Sequence, residues 1–341
     1  MLLDRKPQAQ TSHPIPSATV PEIAVILPCY NEAGGIAKVI ADFRESLPTA
    51  KIYVYDNNSS DGTVEIAREA GAIVRQEPRQ GKGHVVRRMF ADIEADIYVM
   101  CDADDTYDAG AAGALVSAVQ SEGLDMVVGA RQQEKAGTYR PGHEFGNWML
   151  SVLVRKIFGD QFRDMLSGYR VFSRRFVKSF PVMSGGFEIE TELTIHALEL
   201  EMPATEIPIA FSDRAPGSES KLRTFHDGFR ILGTIVNLLK QERPLQFFSA
   251  FAAVLALVSV ALAVPIIGTY LDTGLVPRFP TAILSSALML LAFLFLFSGL
   301  ILQTVTRGRQ EAKRMRYLAV PGIHASVHAT VGDGDLGESD A

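Results

Sequence analysis

Residues 97–108 read IYVMCDADDTYD, an apolar and aromatic run leading straight into Asp102, Asp104, Asp105 and Asp108. Two carboxylates spaced Asp-x-Asp in a tight turn can aim at one hard cation. Mg2+ and Mn2+ favour such oxygen ligands, and Mg2+ typically takes one or two carboxylates together with substrate phosphates. An ion held this way would neutralise a diphosphate leaving group. Asp-x-Asp alone also arises in solvated turns, so its weight comes from its position directly after IYVM. Asp105 and Asp108 read as turn and capping residues rather than ligands. The chain carries neither a Gly-Lys-Ser/Thr loop nor Gly-x-Gly-x-x-Gly, which sets aside the P-loop and the standard NAD site. His84, His143, His196 and His226 share no metal-ligand spacing and read as structural or exposed, with substrate contact the lesser reading for His84.

The elements that would position these residues alternate. Short apolar runs at 22–30, 51–56, 72–76, 96–102 and 124–131 read as buried parallel strands. Between them, 34–48, 61–71, 83–95 and 112–123 have helical spacing, with Pro48 and Gly71 as stop signals. Strand and helix in alternation predict a mostly parallel sheet flanked by helices, which binds ligands at the carboxyl ends of its strands. Polar clusters fall there: Asn31 and Glu32, Asp56 with Asn57 and Asn58, Arg79 with Lys82 and Gly83, Asp102 with Asp104, and Arg131. One crevice receiving all five is the economical account.

Seven stretches occur in order: LPCYNEAGGI, VYDNNSSDGT, RQGKGHVVRRMF, DADDTYD, GAR, DMLSGYRVFSR and GFEIETEL. Together they resemble the family-2 glycosyltransferases of GT-A fold, over residues 22–240. Within that family the likeness is to polyprenyl-phosphate glycosyltransferases, similar to dolichol-phosphate mannose synthase and bacterial undecaprenyl-phosphate hexose synthases. The resemblance implies that Pro28, Tyr30, Asn31 and Glu32 bind nucleotide, that Asp56 faces the nucleobase, and that Lys82 and Gly83 lie near the nucleotide. Asp61 and Gly62 belong to the turn that caps the next helix. Asp102 and Asp104 match the metal-binding pair, with Asp104 favoured as direct ligand. Arg131 corresponds to an arginine near the phosphates. Ser167, Gly168 and Arg170 match a segment facing sugar and acceptor, Glu188 and Glu190 its acidic neighbour, and Arg214, Ser220 and Lys221 a basic loop closing on phosphate. The chain departs from the family pattern at Asn57, where many members have a second Asp, and at Thr106, where many have a Gln able to complete the metal shell. Thr106 would do so more weakly, or water would substitute.

A polyprenyl phosphate is already an anion and needs little base. The expected reaction is a single displacement with inversion at the anomeric carbon, with Asp104 and its ion, Arg131, Arg214 and Lys221 balancing phosphate charge. The neutral hydroxyl of a diacylglycerol or sphingolipid, the alternative acceptor, would instead need Glu188 or Glu190 as base. Uracil suits Asp56, guanine also fits, and glucose, N-acetylglucosamine, galactose and mannose all remain open. A processive polysaccharide synthase would carry Gln-x-x-Arg-Trp, yet the only Trp, Trp148, is followed by Met149. A non-catalytic nucleotide-sugar-binding scaffold is the remaining alternative.

The chain is 47% hydrophobic, and the excess sits in two runs near its C-terminus. Residues 245–271 and 281–305 contain no charge, and each exceeds the roughly 20 residues that cross a bilayer core. Lys240 and Arg243 precede the pair, while Arg307, Arg309, Lys313, Arg314 and Arg316 follow it. The positive-inside bias predicts a transmembrane hairpin with both ends in the cytoplasm. The resulting division is a disordered leader (1–20), a cytosolic GT-A catalytic domain (21–223), an interfacial amphipathic helix (224–243), two transmembrane helices (within 244–306), and a basic then acidic disordered tail (307–341). Residues 145–159 offer a second interfacial helix. The expected setting is the inner (plasma) membrane, with membrane lipid as a partner, homo-oligomers open through the spans, and no nucleic acid. Cys29 and Cys101 read as buried free thiols. Arg87 and Arg88 read as helix-surface or phosphate-reaching, the surface being favoured for one. Glu199, Glu201 and Glu206 read as solvated faces.

Overall fold

The computed structural model describes residues 20–133, 162–186, 188–212, 236–237 and 240–323. Arg214, Ser220 and Lys221, the residues expected to form a second interfacial helix (145–159) and most of 224–243 lie outside them.

Seven strands form one sheet: β1 (Ile23–Cys29), β2 (Lys51–Asp56), β3 (Ile73–Gln76), β4 (Ile97–Met100), β5 (Met126–Gln133), β6 (Arg170–Ser173) and β7 (Ala204–Phe211). Their order is β3-β2-β1-β4-β6-β5-β7. The first four strands and β5 follow the predicted runs, but β5 does not pair with β4. Strand β6 inserts between them, antiparallel to both, while β7 adds in parallel beyond β5. Because β6 runs backwards, its start lies on the same side as the carboxyl ends of the other strands. That reversal brings Gly168 up against Asp102, which strand–helix alternation alone did not reveal.

Helices α1 (Ile36–Ser46), α2 (Thr63–Glu69), α3 (Lys82–Asp92), α4 (Ala112–Glu122), α5 (Arg174–Ser179) and α6 (Ile189–Glu199) complete the globular part. Alternate strand residues feed two separate cores. Ala24, Ile26, Tyr98 and Met100 pack with Met89, Phe90, Phe176 and Leu193. Val25, Leu27, Ile97 and Val99 pack with Ile36, Ile40, Phe43 and Leu115. A strand buried on both faces must be apolar throughout, which explains runs without alternation. Phe90 meets Tyr98, Phe172 and Phe180 edge to face, a favoured aromatic geometry.

The two apolar runs form α7 (Pro244–Thr273) and α8 (Phe279–Leu318), both long and apolar enough to cross a membrane. Their contact is built from small residues. Ser285, Ala292, Gly299 and Thr306 are buried on α8 at intervals of seven, opposite Ala252 and Ser259 on α7. A Cβ on Gly299 would lie 2.9 Å from Phe248 Cβ. Ser259 Oγ donates to Ser285 O at 2.7 Å and Ser285 Oγ to Ser259 O at 2.9 Å. Close approach of small residues with hydroxyl cross-bonds is how apolar helices associate where water gives no hydrophobic drive.

The expected disordered tail needs correction at its start, because α8 continues unbroken to Leu318. Its last turns dock on the globular part. Lys313 pairs with Glu199 at 2.6 Å, Tyr317 Oη donates to Asp125 at 2.7 Å, and Arg175 lies 4.3 Å over the Tyr317 ring. Glu199 is therefore a nearly buried ion-pair partner, only 3% exposed, rather than part of a solvated face.

Candidate active site

At the end of β1, Tyr30 is exposed, and Asn31 turns the chain at φ 53. Asn tolerates this left-handed conformation better than most residues. Asn31 N donates to Ser59 Oγ and Asn31 Oδ1 accepts from Ser60 N, each at 2.8 Å. The amides of Glu32 and Ala33 donate to Thr63 Oγ1 and Asp61 Oδ2. Residues 31–33 are thus laced to the loop after β2. Asp61 serves both loops, since it also accepts from Thr63 N, and its carboxyl is held below its ordinary pKa: burial opposes this, while hydrogen bonds from Thr63 and Ala33 prevail. Asp56 is buried, with Ser59 N 3.2 Å from both carboxylate oxygens.

Asn57 has a task that the sequence did not disclose. Its Nδ2 donates to the carbonyls of Glu77 and Arg79, each at 2.8 Å, and its Oδ1 accepts from Gly81 N at 2.7 Å. A carboxylate has no donors for two carbonyls, so an amide suits this position. The loop so held delivers the first turn of α3. Lys82 Nζ there meets Asp102 Oδ1 at 2.5 Å and also pairs with Glu190 of α6. The side chains of Lys82 and Glu190 are 10% and 6% exposed, and that of Asp102 is 30% exposed. Burial works against the ammonium, but its two carboxylate partners raise the Lys82 pKa above its ordinary value. Burial raises that of Glu190, with Lys82 acting in the opposite sense.

After β4, Thr106 Oγ1 donates to Asp104 Oδ1 at 2.6 Å in a buried setting. Among the described residues no group of three or more His, Cys, Asp or Glu is arranged to hold an ion. Two carboxylates and a hydroxyl fit a hard cation that completes its shell with phosphate and water, and do not fit an all-protein cage. Asp105 pairs with Lys38 at 2.6 Å and Asp108 accepts from Gly110 N at 2.8 Å, both as surface and capping groups.

From the far side, Gly168 closes on Asp102: a Cβ there would lie 2.3 Å from Asp102 Oδ2. Its amide donates to Tyr107 Oη at 2.8 Å. Ser167 and Arg170 are not at the surface of the crevice, contrary to expectation. Both are fully buried. Ser167 Oγ donates to Gly129 O at 2.6 Å. The Arg170 guanidinium donates to the carbonyls of Ser167 and Met165 and to Thr194 Oγ1. These two side chains shape the loop before β6 from behind. Arg131 forms a bidentate pair with Asp164, through Nε and Nη2 at 2.7 Å each. Burial would raise the Asp164 pKa, but Arg131 holds it low. Glu188 stands at the N-cap position of α6, beside Gly186.

Three contributors escaped the sequence reading: Asp164, Tyr107 and Glu192. All lie inside stretches already singled out; contacts across the fold reveal Asp164 and Tyr107, and the amides of Met183 and Ser184, a short way up the chain, reveal Glu192. Arg88 pairs with Asp92 on the surface, whereas Arg87 turns to the carbonyl of Val182.

The profile described as Glycosyl transferase family 2 matches residues 24–180. Glycosyltransferase AglJ of Haloferax volcanii is 35% identical over 230 residues, spanning 67% of this chain and 75% of that protein. A dolichyl-phosphate hexose transferase of the same organism is 29% identical over 226 residues, spanning 66% and 97%. Among solved structures, Mycobacterium tuberculosis glucosyl-3-phosphoglycerate synthase, in complex with Mn2+, uridine diphosphate and glucosyl-3-phosphoglycerate, aligns with a TM-score of 0.52 at 25% identity. That alignment covers 64% of this chain and 79% of the other, and the shared architecture is the GT-A fold.

Proposed function

We propose that this chain, which belongs to glycosyl transferase family 2 and is a glycosyltransferase, moves a hexosyl or N-acetylhexosaminyl group from a nucleoside-diphosphate sugar to a polyprenyl phosphate such as undecaprenyl phosphate. A UDP-sugar is the favoured donor. One observation carries the reading. A single chain joins carboxylates at the carboxyl ends of β2 and β4, Asp56, Asp102 and Asp104, to two helices long and apolar enough to cross a membrane. The similarity to a dolichyl-phosphate hexose transferase points to the same acceptor class.

In this reading an oxygen of the acceptor phosphate attacks the anomeric carbon while the bond to the donor diphosphate breaks, with inversion. The attacking oxygen carries charge already, so binding and orientation matter more than proton removal. Pro28, Tyr30, Asn31, Glu32 and Asp56 receive the nucleoside, and Gly83 with Lys82 lies alongside the diphosphate. Lys82 keeps Asp102 and Glu190 charge-compensated. Arg131, oriented by Asp164, holds phosphate together with Arg214 and Lys221. Asp102, Asp104 and Thr106 would hold Mg2+ or Mn2+, which when bound supplies positive charge to the leaving diphosphate. The positive-inside bias sets the crevice on the cytosolic face.

The test uses full-length protein in lipid, given undecaprenyl phosphate and one UDP- or GDP-sugar at a time, with and without EDTA. Mass spectrometry should show an EDTA-sensitive glycosyl phospholipid from one donor. Nucleotide binding without lipid product from any donor would defeat the reading.

A further inference from the structure

Residues 182–186 form a strap across the first turn of α3. Its backbone touches that turn so closely that side chains are excluded. A Cβ on Gly81 would lie 2.1 Å from Gly185 O, and one on Gly83 would lie 2.2 Å from Ser184 O. Lys82 sits between these two glycines. The strap is also strained, because Val182 is buried with φ 44. A β-branched residue does not adopt that conformation without compensation from its surroundings.

The compensation comes from two charged side chains that the catalytic reading leaves unused. Arg87, one turn along α3 from Gly83, donates through Nε to Val182 O at 3.0 Å and through Nη2 to Met183 O at 3.4 Å. Glu192, on the same helix as Glu190, accepts from Met183 N and Ser184 N, one on each carboxylate oxygen, at 2.7 Å. The guanidinium takes the strap's carbonyls and the carboxylate takes its amides, so the strap is gripped from α3 and α6 at once. Those helices supply Lys82 and Glu190, the two ends of the bridge beside Asp102. Resting on the glycosyl-transfer reading, we propose that Arg87 and Glu192 are positioning residues: they clamp the strap onto Gly81 and Gly83 and thereby fix where Lys82 stands. They touch no substrate themselves. The effect falls on the reacting end of the crevice and leaves the Asp56 end alone.

The experiment compares full-length wild type with Glu192→Gln, Glu192→Asp, Arg87→Met and Arg87→Lys. Two readouts do not depend on turnover: backbone amide exchange in the 182–186 segment, and the rate at which an amine-modifying reagent labels Lys82, both by mass spectrometry. Gln keeps one acceptor where Glu has two, so Glu192→Gln should speed exchange by about tenfold. Lys82 labelling should rise at least about threefold, from its nearly buried starting point. Turnover should fall about tenfold in kcat while uridine affinity holds within about threefold, because displacement at the reacting end is felt in the transition state. Asp at 192 and Lys at 87 should recover part of each effect. Unchanged amide exchange, or faster exchange with unchanged Lys82 labelling, overturns the proposal. So does an equal loss of uridine affinity and kcat, which would mark general loosening. Wild type that transfers no sugar would defeat the functional reading, while labelling and exchange would still decide the clamp.

Discussion

Lys82→Met leaves Glu190 and Asp102 without the ammonium that joins them. The Glu190 side chain is 6% exposed and that of Asp102 30%, so water still reaches Asp102 but scarcely Glu190. The penalty therefore concentrates on Glu190. Removing one partner of a buried pair costs about 3–5 kcal/mol. At about 2–4 °C per kcal/mol for a domain of this size, the melting midpoint should fall by about 6–20 °C. In Lys82→Met/Glu190→Gln the buried negative charge leaves with the lysine and the shape is kept. Stability should return to within about 1–2 kcal/mol of the parent, but transfer activity should not return with it. The assay is thermal unfolding of the full-length protein by circular dichroism in one detergent at pH 7, with turnover measured on the same samples. A double variant no more stable than Lys82→Met would refute the argument, since the cost could not then come from an uncompensated Glu190. Parental turnover in Lys82→Met would remove the bridge from the active site.

Asn57→Asp keeps the acceptor for Gly81 N but turns an anion toward the carbonyls of Glu77 and Arg79; it should cost about 1–3 kcal/mol and raise the donor KM, read by denaturant unfolding and steady-state kinetics. Tyr317→Phe removes the hydroxyl that binds Asp125, which keeps Arg175 and Ser173; a loss of about 1–2 kcal/mol is expected, and an unchanged midpoint would show that the end of α8 does not brace the domain. His196 is buried, and burial with Lys313 nearby lowers its pKa to about 3. Its folded-state pKa lies below the unfolded value near 6.5, so the unfolded chain binds the proton first. Stability is then full above that value and declines as pH falls toward 3, by about 2 kcal/mol at pH 5. His196→Gln should flatten this decline between pH 7 and 5 in parallel unfolding curves.

Local signals carried much of this protein. Five apolar runs declared their strands because a strand covered on both faces has no polar positions to interrupt it. The residues that end β1, β2 and β4 marked the crevice because a parallel sheet exposes those ends together. The two uncharged runs declared long helices by length alone. What contacts between distant segments decide stayed hidden. The reversal of β6 depends on which strand finds β4, and it converts Arg170 from an expected substrate contact into a buried brace behind its loop. Arg87 reads as a helix-surface or phosphate-reaching residue until the strap arrives beside it from about 95 residues along the chain. The same holds at the end of α8, where a basic segment reads as the start of a disordered tail and becomes a docked helix only because Glu199 and Asp125 wait across the fold. Sequence by itself determined five of the seven strands, the four helices between them, the two long apolar helices and which residue types gather at the strand ends, since those follow from near-neighbour spacing. Tertiary structure alone decided which charges meet, because that depends on pairings between residues that are far apart along the chain.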